Sequence, residues 1–347
     1  MGDVRQTIKQ SLPVDVSNPY DPTTLKGKTI LITGGANGLG AHMVRHWASH
    51  GANIVIGDVA DTAGEELVAS LRTAYPKAVF EFRHCDVTDW ESQVSLFDTA
   101  TAASPHGAID VVVPNAGVLL PGEATEFENP ELANGKLPEP NTATLSVNVK
   151  GVIFTSHLAL YHLPRNKRSD RCLLFVGSVA SLIPLPGQSQ YTTSKHAVLG
   201  LFRSLRGTAS MRGIRVNMIA PYYTAQTSML PTVAEALLLS GSAGPGSVPD
   251  VIDAATRLVA DESIVGRALV IGPRLKAQDI VEAVGEGSGA LLKEDVDQSR
   301  AIWECYAHDY DQVETFVKRY LWLLNATARA RGMFAWILDI LAIWKRG

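Results

Sequence analysis

The chain has little that would tie it to a metal, a disulfide framework or a membrane. Only three of its 347 residues are cysteine, Cys85, Cys172 and Cys305, and no two stand at a metal-binding or redox spacing. Reduced core thiols are expected, as in a cytoplasmic protein. Charge of one sign is not in excess. The 31 Lys+Arg and 35 Asp+Glu leave a formal net charge of −4, which gives nucleic-acid binding no electrostatic support. The short basic cluster from Arg165 to Arg171 is diluted by Asn166, Ser169 and Asp170 and reads as a solvated loop. Long apolar runs are also missing. The stretch MFAWILDILAIW after Gly332 falls short of the roughly twenty residues that span a bilayer, and Asp339 interrupts it. Residues 1–25 hold no secretory apolar core, and Gln6 stands where an N-myristoylation signal wants Ser or Thr. His42, His46 and His50 recur at one-turn spacing, but Leu39, Val44 and Trp47 must face the sheet from the same helix. The histidines then point to solvent without a fourth ligand, and no metal is expected.

What is present is enough apolar material for a large core: 46% hydrophobic against 19% charged residues. Seven strand-like segments are separated by helical stretches: Thr29–Thr33, Asn53–Gly57, Val79–Arg83, Ile109–Val113, Cys172–Val176, Arg215–Ile219 and Ala268–Ile271. That alternation predicts α/β architecture, a doubly wound seven-stranded parallel sheet with helices on both faces.

Two places along this pattern carry chemistry. The first is KTILITGGANGLGAHMVRHW, a β-branched run followed by Gly34, Gly38 and Gly40 and then by helical spacing. Glycines there permit a tight turn and a close approach of backbone to a pyrophosphate, whose charge the helix N-terminus stabilises. The next strand ends in Asp58, eighteen residues beyond Gly40. A carboxylate at that place accepts hydrogen bonds from both hydroxyls of an adenosine ribose and repels a 2′-phosphate. No arginine immediately follows it, so NAD is expected in preference to NADP. The competing reading of Asp58 is a helix N-cap for the segment starting near Thr62.

The second is YTTSK. If a helix runs on from Thr192, Tyr191 and Lys195 lie one turn apart on one face. A lysine ammonium in that position favours phenolate and is expected to lower the tyrosine pKa from about 10, which suits a proton donor and acceptor near neutral pH. Ser178, thirteen residues earlier, ends the apolar run CLLFVG and can hold a substrate oxygen beside the phenol.

With TGGANGLG (Thr33–Gly40), CDVTD (Cys85–Asp89), NAG (Asn115–Gly117), VNVKG (Val147–Gly151), GSVAS around Ser178, YTTSK (Tyr191–Lys195) and IRVNMIAP ending at Pro221, the chain resembles the short-chain dehydrogenase/reductase family from about residue 26 to residue 272. The resemblance implies a Rossmann fold, a nicotinamide cofactor, and a homodimer or homotetramer. It also implies roles. Gly34, Asn37, Gly38, Leu39 and Gly40 cradle the cofactor; Asp86 and Val87 lie along the adenine; Asn115, Ala116 and Gly117 support the central strand and line the cofactor. Lys195 binds the nicotinamide ribose, Tyr191 exchanges a proton with the substrate oxygen, Ser178 orients that oxygen, and Asn148 holds a water that links Lys195 to solvent. Pro221 and a following threonine, Thr224 or Thr227, meet the carboxamide. The chain departs from the family pattern at Pro114, at Tyr222-Tyr223 after Pro221, and at Ile271-Gly272-Pro273. Within the family, GQSQYTTSKHAVLGLFRSLR and RGIRVNMIAPYYTAQTSML resemble fungal-type NAD-dependent alcohol dehydrogenases of polyketide secondary metabolism, related to hydroxyprostaglandin dehydrogenases. That implies a secondary alcohol on a bulky hydrophobic small molecule; a ketoreductase on a steroid- or lipid-like carbonyl is the alternative, and a non-enzymatic scaffold is the rival from another class.

Around this core the expected organisation is an N-terminal arm over residues 1–25, a cofactor-binding domain over 26–273 and a C-terminal helical extension over 274–347. The insertion from Pro121 to Thr142 is expected to border the substrate entrance. Residues 222–249, with Met229, Leu230 and Leu237 to Leu239, read as an apolar lid. Val313, Val317, Tyr320 and Leu324 recur at helical spacing. The final stretch, with Trp336, Trp344 and flanking basic residues, is open to three readings: packing on the body, a cover on the active site, or a weak membrane-surface contact.

Overall fold

Five consecutive residues, Thr29–Thr33, are all buried, as only a strand covered on both faces can be. Seven parallel strands form the body of the sheet: β1 (Thr29–Thr33), β2 (Asn53–Asp58), β3 (Phe80–His84), β4 (Val111–Pro114), β5 (Cys172–Val176), β6 (Arg215–Pro221) and β7 (Ala268–Leu275). An eighth, β8 (Arg300–Cys305), pairs antiparallel with β7, giving the order β3-β2-β1-β4-β5-β6-β7-β8. The computed structural model describes residues 9–120, 122–224, 244–275, 299–306 and parts of 319–330. The apolar residues proposed for the lid, together with Thr227 and the tryptophans of the final stretch, lie outside the described residues.

Alternation along each strand sorts the core into two layers. Ile30 and Ile32 face one cluster and Leu31 the other. The first cluster receives α1 (Gly38–Ser49), α2 (Asp61–Ala74) and, later in the chain, the helix Val248–Ala260; the second receives α3 (Trp90–Ala103) and the helices Val152–His162 and Ser189–Leu205. In chain order the labels continue as α4 (Glu123–Glu128), α5 (Val152–His162), α6 (Ser189–Leu205) and α7 (Val248–Ala260). Helices on both faces of a mostly parallel sheet make the doubly wound α/β fold expected from the sequence.

Two expectations change. The sheet has eight strands, not seven, and it is not wholly parallel, because part of the segment expected to be a helical extension returns as β8. Pairing on β7 buries Ala301 and Ile302 and covers an edge that would otherwise present open backbone groups. The described residues between 319 and 330 are helical, among them Tyr320 and Leu324. The N-terminal arm packs over this end of the sheet. Ser11 N–H donates to Val265 O, Val14 N–H to the Glu304 carboxylate, and the Arg257 guanidinium to the carbonyls of Val16 and Asn18.

Strand order reverses between β1 and β4, the place where a doubly wound sheet opens a crevice at the carboxyl ends of its strands. Asn115 sits there. Its Nδ2 donates to Thr33 O (3.0 Å) and Gly34 O (2.7 Å), joining the end of β4 to the glycine turn after β1.

Candidate active site

The turn between β1 and α1 is built for close approach. Gly34 has φ +66° and Gly38 φ +54°, backbone that a side chain disfavours. A Cβ on Gly34 would lie 2.7 Å from Ala116 Cα, and one on Gly40 would collide with the Gly34 carbonyl. Asn37 caps α1 in an extended conformation without a side-chain cap bond. Opposite the turn, the Asp58 carboxylate accepts from Ala36 N–H and from Ala60 N–H, each at 3.0 Å. The N-cap of α2 is Ala60, so Asp58 reaches back to the glycine turn instead of capping the helix.

At the other end of the crevice, Ser178 terminates β5. It caps a short turn, Val179–Ser181, through a capping box with Ser181, and its hydroxyl donates to Pro221 O at 3.4 Å. Ser178 is thus a strand-end cap whose side chain lines the same cavity as Tyr191. α6 carries Tyr191, half-buried, and Lys195, buried. Lys195 Nζ donates to Val176 O at 3.3 Å and lies 5.7 Å from the centre of the Tyr191 ring.

The electrostatics differ from the sequence expectation. Burial pushes the Tyr191 phenol above its ordinary value, and the nearby Ser178 side chain only partly opposes this. Burial also lowers Lys195 to about 8. The lysine is itself deprived of solvent, so the ammonium is a weaker source of positive potential than the one-turn spacing alone implied.

Asn148 stands behind this pair on a π turn, Ser146–Gly151, leading into α5. Its Oδ1 accepts from Val118 N–H (2.8 Å), and its Nδ2 donates to Val118 O (2.9 Å) and Ser194 Oγ (3.1 Å). Both amide hydrogens are engaged, which leaves the second lone pair of Oδ1 to accept from a water.

One cavity of about 710 Å³ joins the two ends. It brings together Gly34, Asn37, Gly38, Leu39, Gly40, Asp58, Asp86, Val87, Asn115, Ala116, Gly117, Ser178, Tyr191, Lys195, Pro221 and Thr224; Asn148 is the one singled-out residue that does not line it. Asp86 accepts from Thr88 N–H and Oγ1–H at 2.8 Å each, which fixes its orientation at the rim. Cys85 also lines the cavity, with its thiol pushed by burial up to about 11, so it is a packing group. Among the described residues the insertion contributes none to the lining. Instead Val118, Leu119, Val147, Val179, Leu185 and Tyr222 close the end beside Tyr191. These come from loops and a turn with no period to mark them, whereas the insertion was conspicuous for its prolines and acids. Among the described residues no group of three or more His, Cys, Asp or Glu side chains converges as metal ligands would.

The model of the short chain dehydrogenase family matches residues 28–237. The chain belongs to that family. Among curated short-chain dehydrogenases it is similar to the 5′-hydroxyaverantin dehydrogenase of Emericella nidulans, 35% identical over 281 residues that cover 75% of this chain and 88% of the relative. It is also similar to the 5′-hydroxyaverantin dehydrogenase of Dothistroma septosporum, 32% identical over 266 residues, 73% and 87% of the two chains. Among solved structures, levodione reductase shares the fold with a TM-score of 0.61 at 22% identity, covering 74% of this chain and 99% of that one. The protein is therefore a short-chain oxidoreductase of a family that uses NAD(P).

Proposed function

We propose that this short-chain dehydrogenase interconverts a secondary alcohol and a ketone on a bulky hydrophobic molecule, with NAD preferred over NADP, in polyketide secondary metabolism. The observation that carries the reading is the single cavity with the glycine turn and Asp58 at one end and Ser178, Tyr191 and Lys195 at the other. A dinucleotide fits this donor set. The Cβ-free surface of Gly34 and Gly40 would admit a pyrophosphate beside the start of α1. Asp58, oriented by two backbone N–H groups, keeps lone pairs for ribose hydroxyls. When bound, the nicotinamide supplies hydride exchange.

The protein's own residues handle the proton and the orientation. Ser178 donates to or accepts from the substrate oxygen, and Tyr191 gives or takes the hydroxyl proton at its phenol oxygen. Lys195 stabilises the phenolate once its ammonium is retained by bound nucleotide. Asn148 pins Val118 and α6 and offers Oδ1 to a relay water. The apolar end formed by Val118, Leu119, Val147, Leu185 and Tyr222 excludes water and suits a large hydrocarbon framework better than a sugar. The two fungal relatives, named for a dehydrogenase acting on 5′-hydroxyaverantin, support a polyketide alcohol. Exposed apolar side chains at Trp90, Ile153 and Tyr161, on the surface where α3 meets α5, support a homo-oligomer.

Turnover tests the reading. Purified enzyme with NAD and a panel of bulky aromatic secondary alcohols is expected to generate reduced nicotinamide, and Tyr191→Phe to lower kcat/KM by about 10²–10⁴-fold while nucleotide binding persists. Equal turnover in the variant would remove Tyr191 from the chemistry.

A further inference from the structure

Gln93 is fully buried on α3, outside the cavity and without a place in the mechanism above. A buried primary amide must place two donors and an acceptor, and this one places all three. Nε2 donates to Val87 O at 2.6 Å and to Gly151 O at 2.9 Å, while Oε1 accepts from Thr155 Oγ1 at 2.7 Å. Thr155 Oγ1 also lies 2.9 Å from Gly151 O. The two carbonyls belong to separate parts of the site. Val87 forms the wall of the cavity next to Asp86; Gly151 ends the π turn that carries Asn148. These segments also touch directly, since a Cβ on Gly151 would come within 2.7 Å of Val87 Cγ2.

We infer that Gln93 is a positioning residue that clamps the Val87 wall to the Asn148 turn, so that the nucleotide end and the proton-transfer end keep one register. An apolar side chain of the same length would fill the space and remove the donor that joins the two carbonyls, leaving Gly151 O to the Thr155 hydroxyl alone among side chains. The π turn would then lose its tie to α3, and Val118 and Ser194, held through Asn148, would shift with it. This clamp rests on the dinucleotide reading of the cavity for its effect on activity, but not for its effect on the backbone.

Gln93→Met and Thr155→Val test it by two readouts. Hydrogen exchange in the nucleotide-free proteins should rise at residues 86–88 and 146–151 together, more in Gln93→Met, with other strands and helices unchanged. In the folded variant, NADH affinity and kcat at saturating nucleotide should both fall, by on the order of tenfold or more in Gln93→Met and less in Thr155→Val. A lower melting temperature with unchanged exchange at those two segments, or unchanged affinity and kcat in a wild-type-active enzyme, would reduce Gln93 to a packing residue. If wild type binds no dinucleotide, the reading of the cavity fails, and the exchange data still decide the clamp. Should Gln93→Met not fold, Gln93→Asn, whose amide is one methylene too short to reach both carbonyls, carries the same test.

Discussion

At the scale of single residues, the site combines two groups that burial pushes in opposite directions. Lys195 has an ordinary value of 10.5 and stands at about 8 in the folded, nucleotide-free chain. Because the folded value is depressed, its contribution to stability is fully present above the unfolded pKa and is lost as pH falls through about 8. The cost at neutral pH is on the order of 3 kcal/mol. Lys195→Met should therefore unfold at higher denaturant than wild type at pH 7, with the advantage shrinking toward pH 10, while turnover is lost. A variant less stable than wild type at pH 7 would mean that the ammonium is compensated. Tyr191 runs the other way. Its raised phenol stabilises the fold below its ordinary pKa of 10, and the effect fades as pH climbs through the folded value. On the proposed mechanism, with the phenolate as base for oxidation, a pH–rate profile of that direction should rise into the alkaline range. The spacing of YTTSK correctly put the two side chains on one helix face. The sign of the tyrosine shift was not legible, since it depends on how completely β5, α6 and the Val118 loop bury both groups.

At the scale of elements, glycine placement and strand composition did most of the work. The segments Thr29–Thr33 and Cys172–Val176 are strands with the bounds read from the sequence, and the other five differ at their ends. The turn after β1 allows a direct test. Gly40→Ala puts a methyl group against the Gly34 carbonyl and near Asn115 Nδ2, and this overpacking should cost about 1–3 kcal/mol. NADH binding should weaken far more than the fold, as measured by titration beside chemical denaturation. What the sequence hid at this scale is instructive. β8 (RAIWEC) carries charge at both ends of a short apolar stretch and becomes a strand only because β7 offers it an edge. Gln93 and Glu123 look like solvent-facing polar residues in their local pattern. Both are buried because distant backbone and hydroxyl groups, Val87 and Gly151 for one and Thr144 for the other, meet them.

At the scale of the whole molecule, β8 and the described part of the N-terminal arm brace one another. The Arg267 guanidinium, buried at the β7 end of the sheet, pairs with Glu304 at 3.2 Å and also reaches Ser11 O; Glu304 in turn accepts from Val14 N–H. Removing one partner of a buried ion pair strands the other. Glu304→Ala should lose about 3–5 kcal/mol in urea unfolding while the folded variant keeps wild-type NADH affinity, because this brace lies away from the crevice. A matching fall in affinity would show that the C-terminal strand is coupled to the site. The sequence suggested an arm draped over the sheet or left disordered, but the ion pair was not legible there, because residues 274–347 read as helical.

The proposed function places NAD in one crevice between Asp58 and Tyr191. The most direct measurement is titration of the protein with NADH and with NADPH, followed by tryptophan-to-nicotinamide energy transfer, in wild type and Asp58→Ala. Wild type should bind NADH more tightly than NADPH, and the variant should lose that preference. Tighter NADPH binding, or a preference untouched by Asp58→Ala, would contradict the proposal.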